Sequence, residues 1–132
     1  MSARGLFIVT AALELGAGLA LLAAPAVVIG LLFGSAVDLF PAAGIARLTG
    51  AALLSVAVAC WGARDDGRSA AARALVGGLL VYNIAVVALA IGGALGALGP
   101  LLWGAVILHG VQAIWCAWVM VESASVTARD RY

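Results

Sequence analysis

Long apolar stretches and short polar breaks divide the chain into four segments, at about residues 5–24, 42–61, 74–94 and 101–121. Each is long enough to cross a hydrocarbon core of about 30 Å, which takes about 20 mainly apolar residues in helical form. Unpaired backbone groups cannot face lipid, so spans of this kind are helices. The pattern therefore predicts an all-α polytopic membrane protein: a four-transmembrane-helix bundle forming a single domain over residues 1–132.

The breaks refine this picture. Arg4 precedes the first span and Pro25 stops it, because a proline inside a helix clashes with the preceding turn. A signal peptide with Ala24-Pro25-Ala26 at its cleavage site is the other reading of this segment, but Glu14 would be abnormal within an apolar h-region. Residues 26–33 are too short for a span and too apolar for an ordinary loop, so we expect a short interfacial or re-entrant helix there. The alternative is a first span that continues through a kink at Pro25. Pro41 suits the first turn of the second span. The connection at 62–73 holds Arg64, Asp65, Asp66, Arg68 and Arg73 and must be aqueous. The turn at 92–100 is rich in glycine and carries no charge, and Gly92 and Gly96 have the spacing of a helix-dimer motif. Glu122 opens a polar tail, 122–132, with Arg129, Asp130 and Arg131.

Composition agrees with a membrane location. The chain is 66% hydrophobic and 10% charged, against about 45–50% and about 25% in soluble domains. A net charge of +1 offers no basic surface for nucleic acid. Cys60 and Cys116 do not form a CxxC pair and are expected to be small packing residues. Together with a lone histidine they do not provide zinc-ligand spacing; neither metal nor cofactor is expected. With four spans, Arg4, Arg64, Arg68, Arg73, Arg129 and Arg131 fall on one side and Arg47 alone lies towards the other. The positive-inside rule then places both termini in the cytoplasm. Trp61 and Trp118 fall near the inner interface and Trp103 near the outer one.

The chemistry of interest lies inside the spans. Glu14, Asn83 and His109 each sit about half-way along a span, at a similar depth given a rise of about 1.5 Å per residue. A carboxyl at mid-bilayer costs roughly 2.5–3.5 kcal/mol on insertion scales, so it is expected to be paired, hydrated or used. Helical spacing extends the polar stripe, with Thr10 four residues before Glu14, and with Gln112 and Cys116 following His109 on its face. Tyr82 adjoins Asn83, and Trp115 is deep enough to face a pocket or lipid. Arg47 has two options. Its side chain can snorkel to the headgroups, or it can reach Glu14, about 7–8 Å away in depth, and form a largely structural ion pair. The candidate ligand-binding set is Glu14, Arg47, Tyr82, Asn83, His109, Gln112 and Trp115. The structural reading of His109 is a core histidine bonded to a carbonyl or to Gln112, and that of Asn83 is interhelical glue, worth about 0.6–2 kcal/mol; Glu14 suits a structural reading less well.

Glu14 alone in the first of four short spans resembles the small multidrug-resistance transporters, a likeness that implies exchange of protons for a cationic compound. The third span, Leu79-Leu-Val-Tyr-Asn83, departs from that family. A second resemblance is to small DoxX-like four-span bacterial proteins. It is carried by Gly16 and Gly18, by Pro25 with Phe33-Gly34, and by Arg47-Leu-Thr-Gly50, and it implies architecture alone.

Three functions fit these readings. The first is a homo-oligomeric carrier or binding protein for an apolar or amphipathic small molecule, with proton-coupled transport as its sharper form. The second is a cofactor-independent intramembrane enzyme for isomerisation, epoxide opening or cyclisation, with Glu14 and His109 as catalytic acid and base. The third is an accessory subunit whose polar layer fixes register within a larger complex.

Overall fold

A computed structural model of the protein describes residues 2–34, 39–66, 69–93 and 100–129. Arg68 and Arg131, which bear on the orientation, Gly96 of the helix-dimer spacing and Asp130 of the polar tail lie outside these residues. Five helices make up the described chain: α1 (Ala3–Ala23), α2 (Pro25–Phe33), α3 (Leu39–Ala63), α4 (Ala70–Gly93) and α5 (Pro100–Arg129). Four of them are long and apolar enough to cross a membrane.

Local chemistry sets the helix ends. Ser2 caps α1, its hydroxyl accepting from the Gly5 N–H at 3.2 Å. Ala24 leaves the helical region at φ −138°, ψ 56°, as the residue before a proline tends to do. α1 and α2 are thus separate helices, and the kinked continuous span is not what forms. Pro25 opens α2, and Gly34 closes it at φ +74°, in the left-handed region that glycine enters without a side-chain penalty. α3 begins two residues before Pro41, which leaves the proline in the first turn where no backbone hydrogen bond is lost. α4 starts about a turn earlier than the expected residue 74. Ser69 caps it, accepting from the Ala72 N–H at 3.0 Å. α5 runs through the segment read as a polar tail as far as Arg129, since no glycine or proline interrupts it after Val121.

Each long helix buries a single narrow seam. On α3 the buried positions are 46, 50, 53, 57 and 60, and on α4 they are 72, 76, 79 and 83. Alternating steps of three and four residues are the spacing of left-handed bundle packing. The remaining faces are apolar and open, with Leu48, Val58, Leu89 and Ile114 all more than two-thirds exposed. That surface is stable only against lipid. Trp61 and Trp118 are exposed near the charged-loop end, and Trp103 near the glycine-rich turn. The hydroxyls of Thr49 and Ser55 turn back onto the carbonyls of Ile45 and Ala51, which satisfies them without water.

The helices associate as two pairs. α1 packs chiefly on α3, and α4 chiefly on α5, while α1 and α2 also touch α5. The main apolar cluster joins all four long helices through Leu6, Phe7, Cys60, Val76, Leu79 and Cys116. Both cysteines are fully buried and free. This cluster lies wholly on the charged-loop side of Glu14, Asn83 and His109. It closes one end of the bundle and leaves the polar layer at its upper boundary.

Candidate functional site

Glu14 lies on the buried seam of α1 and is 3% exposed. Its carboxyl is hydrogen-bonded by the Tyr82 hydroxyl of α4. One turn earlier on α1, the fully buried Thr10 hydroxyl donates to Gln112 Oε1 of α5 at 2.8 Å. These two contacts cross between the helix pairs, tying α1 to α4 and to α5. They form where the pairs meet with few other contacts.

On the α4/α5 side, Asn83 Nδ2 donates to the Leu79 carbonyl at 2.7 Å. That bond fixes the orientation of the amide and leaves Oδ1 as the acceptor facing His109 Nδ1 at 2.7 Å. A carbonyl-type oxygen cannot donate, so Nδ1 must carry the proton. The neutral ring then holds its free lone pair on Nε2, and Nε2 has no hydrogen-bond partner among the described residues. The Tyr82 and His109 rings meet edge to face, with centroids 5.4 Å apart and planes at 89°. Tyr82 thus touches both the carboxyl and the imidazole.

Of the residues named from the sequence, Glu14, Tyr82, Asn83, His109 and Gln112 come together in one layer, with Thr10 as an additional member. Arg47 does not join them. It is exposed, whereas Arg4 and Arg64 both pair with Asp65, at 3.3 and 3.4 Å. Among the described residues Glu14 therefore has a phenol for a partner and no cation. The neighbour of Arg47, Ala46, is the residue on the buried seam, so the arginine points outward, where its stem lies in lipid and its charge can reach the headgroups.

Trp115 sits nearer the charged-loop end than the layer. A Cβ on Gly5 of α1 would stand 3.2 Å from its indole ring, so the missing side chain makes room for the ring. The Trp115 indole N–H and the Gln112 amide nitrogen are buried donors with no partner among the described residues. They lie three residues apart on one face of α5. Leaving such donors unmatched costs about 1–3 kcal/mol each, so the two are poised to take up an acceptor such as a ligand oxygen.

The layer can do three things chemically. Glu14 can take or release a proton, His109 Nε2 can accept one, and Gln112, with Trp115 just below the layer, can donate hydrogen bonds to an oxygen. No protein family matches the chain, and neither a curated protein nor a solved structure shows significant similarity to it.

Proposed function

We propose that this integral membrane protein is a carrier or binding protein for a lipophilic small molecule bearing a cationic head, which it receives at Glu14 in exchange for a proton. The company Glu14 keeps carries the reading. A carboxyl enclosed among helices at mid-span, facing a neutral hydroxyl and no fixed cation, retains its capacity for a mobile one. A cationic head at Glu14 and a proton on Glu14 exclude each other, and this competition couples the two. Tyr82 adds an aromatic ring beside the carboxyl, suited to an organic cation.

The seam supports movement as well as binding. Thr10–Gln112 and Glu14–Tyr82 are polar ties between two helix pairs that are each well packed internally, so a ligand that takes over these bonds would leave the apolar cluster as the main join, about which one pair could rock against the other. The apolar cluster below the layer favours entry from the opposite end in this state. We assign the end bearing Arg4, Arg64 and Arg73 to the cytoplasm of a bacterial inner membrane, from the excess of arginines there.

Calorimetric titration of the detergent-solubilised protein with tetraphenylphosphonium tests the proposal. Saturable binding is expected, weakened at least about tenfold, which is about 1.4 kcal/mol, in Glu14→Gln. Equal binding by the two proteins would refute it.

One observation favours a second reading as an acid–base enzyme. The Asn83 contact leaves His109 Nε2 as a lone-pair acceptor in the same layer as a carboxyl, an arrangement suited to opening a lipophilic epoxide. Turnover of such an epoxide by the wild-type protein, lost in both Glu14→Gln and His109→Ala with the fold retained, would establish it. Absence of product from a panel of lipophilic epoxides and polyenes would count against it.

A further inference from the structure

A groove of about 550 Å³ opens between α1 and α3, on faces turned away from the polar layer. Ile8, Ala12 and Leu15 form one wall, and Ala57, Val58 and Trp61 the other. Its size falls within the roughly 300–1,000 Å³ of small-molecule sites, but apart from the Trp61 indole its lining side chains are wholly apolar. What it offers is a long apolar trough.

The extent of the trough identifies its occupant. Trp61 and Gly62 lie at the charged-loop end of α3, whereas Leu15 is next to Glu14 at mid-span. From Ile8 to Leu15 the helix rises roughly 10 Å, within the depth of one leaflet, half of a hydrocarbon core of about 30 Å. A helix from a second copy of the chain would be expected to dock along a seam running through both leaflets. An acyl chain occupies only its own leaflet.

The mouth adds the matching charge. The Arg64 guanidinium stacks over the Trp61 ring at 4.4 Å. Arg4 at the start of α1 and Arg64 just after α3 share the Asp65 carboxylate. Each wall of the groove therefore ends in a guanidinium at headgroup level, where arginine is suited to a phosphate. Gly62 keeps the entrance clear, because nothing lies within 4 Å of the place a Cβ would occupy.

We propose that the groove holds one acyl chain of a phospholipid from the charged-loop leaflet, with the lipid phosphate received by Arg4 and Arg64. This site is separate from the one at Glu14 and does not depend on its function.

Native mass spectrometry of the protein released from micelles supplemented with phosphatidylglycerol, or with diacylglycerol of the same chains, tests both halves of the proposal. Retention of phosphatidylglycerol and loss of diacylglycerol are expected. Ala12→Phe, which fills the trough, should cut phospholipid retention at least fivefold, and Val58→Phe should do so from the lipid-facing side even where Ala12→Phe fails to fold. Val9→Phe, elsewhere on α1, should retain it, and Arg4→Gln with Arg64→Gln should reduce the preference for phosphatidylglycerol. Equal retention in the filled and control variants would overturn the proposal. So would a change of oligomeric mass in the filled variants without loss of lipid, since that would give the groove to a second copy of the chain.

Discussion

Gly18 of α1 and Gly50 of α3 meet backbone to backbone: a Cβ built on either would stand 2.8 Å from the carbonyl oxygen of the other. Close approach of this kind is how helices associate in lipid, where no hydrophobic drive acts between them. Neither carbonyl belongs to a side chain that can swing aside. Gly18→Val and Gly50→Val should each lower stability by about 1–3 kcal/mol through overpacking. Gly16→Ala, with nothing within 4 Å, should be neutral or slightly stabilising. Thermal unfolding in detergent checks the contrast, and a Gly18→Val protein as stable as Gly16→Ala would contradict the close crossing.

Thr10 and Gln112 should be unequal partners. In Gln112→Met, the threonine hydroxyl can turn to a carbonyl of its own helix, and a stranded amide donor is removed. In Thr10→Val, the glutamine amide is left buried without its partner. We expect Thr10→Val to cost more than Gln112→Met. A double-mutant cycle should give a coupling near about 0.6 kcal/mol and not above about 1.7 kcal/mol. A larger loss in Gln112→Met would mean that its amide nitrogen already has a partner.

His109 should be neutral with its proton on Nδ1, the less usual tautomer for a free imidazole. Nitrogen-15 NMR of histidine-labelled protein reads this directly. Asn83→Leu removes the acceptor and should shift the ring towards the Nε2–H form or a mixture. A wild-type ring already protonated on Nε2 would overturn the assignment of His109 as a base at that atom.

Arg47, being outward, should be dispensable to the layer. Arg47→Gln is expected to change stability by no more than about 0.5 kcal/mol, as surface substitutions usually do, and to leave cation binding intact. Loss of binding in Arg47→Gln would show that the arginine does reach Glu14.

The spans and the polar layer were legible because both rest on strong local energetics. Charged and amide groups are too costly in hydrocarbon to be scattered, so Glu14, Asn83 and His109 at matching depths marked a shared interior. Helix faces were harder to read, since the lipid side of α3 is as apolar as its seam. Small residues such as Ala46, Gly50 and Ala57 hold the buried positions, while Leu48 and Val58 face out. For this reason Arg47 could be placed by depth but not by direction. Tyr82 stood out only as the neighbour of Asn83, and its contact with Glu14 depends on how two helix pairs meet, which periodicity within one helix does not encode. The start of α4 was readable in principle: Ser69 is a strong helix cap, but Arg73 drew attention to the first uncharged position instead.

Glu14 as a proton-exchanging carboxyl is the central claim, and proton release on binding tests it most directly. Tetraphenylphosphonium is added to weakly buffered, solubilised protein while a pH indicator is followed across the range in which binding occurs. A proton should appear for each cation bound at some pH in that range, and Glu14→Gln should release none. Full-strength binding with no proton released at any pH, or release that persists in Glu14→Gln, would contradict the account.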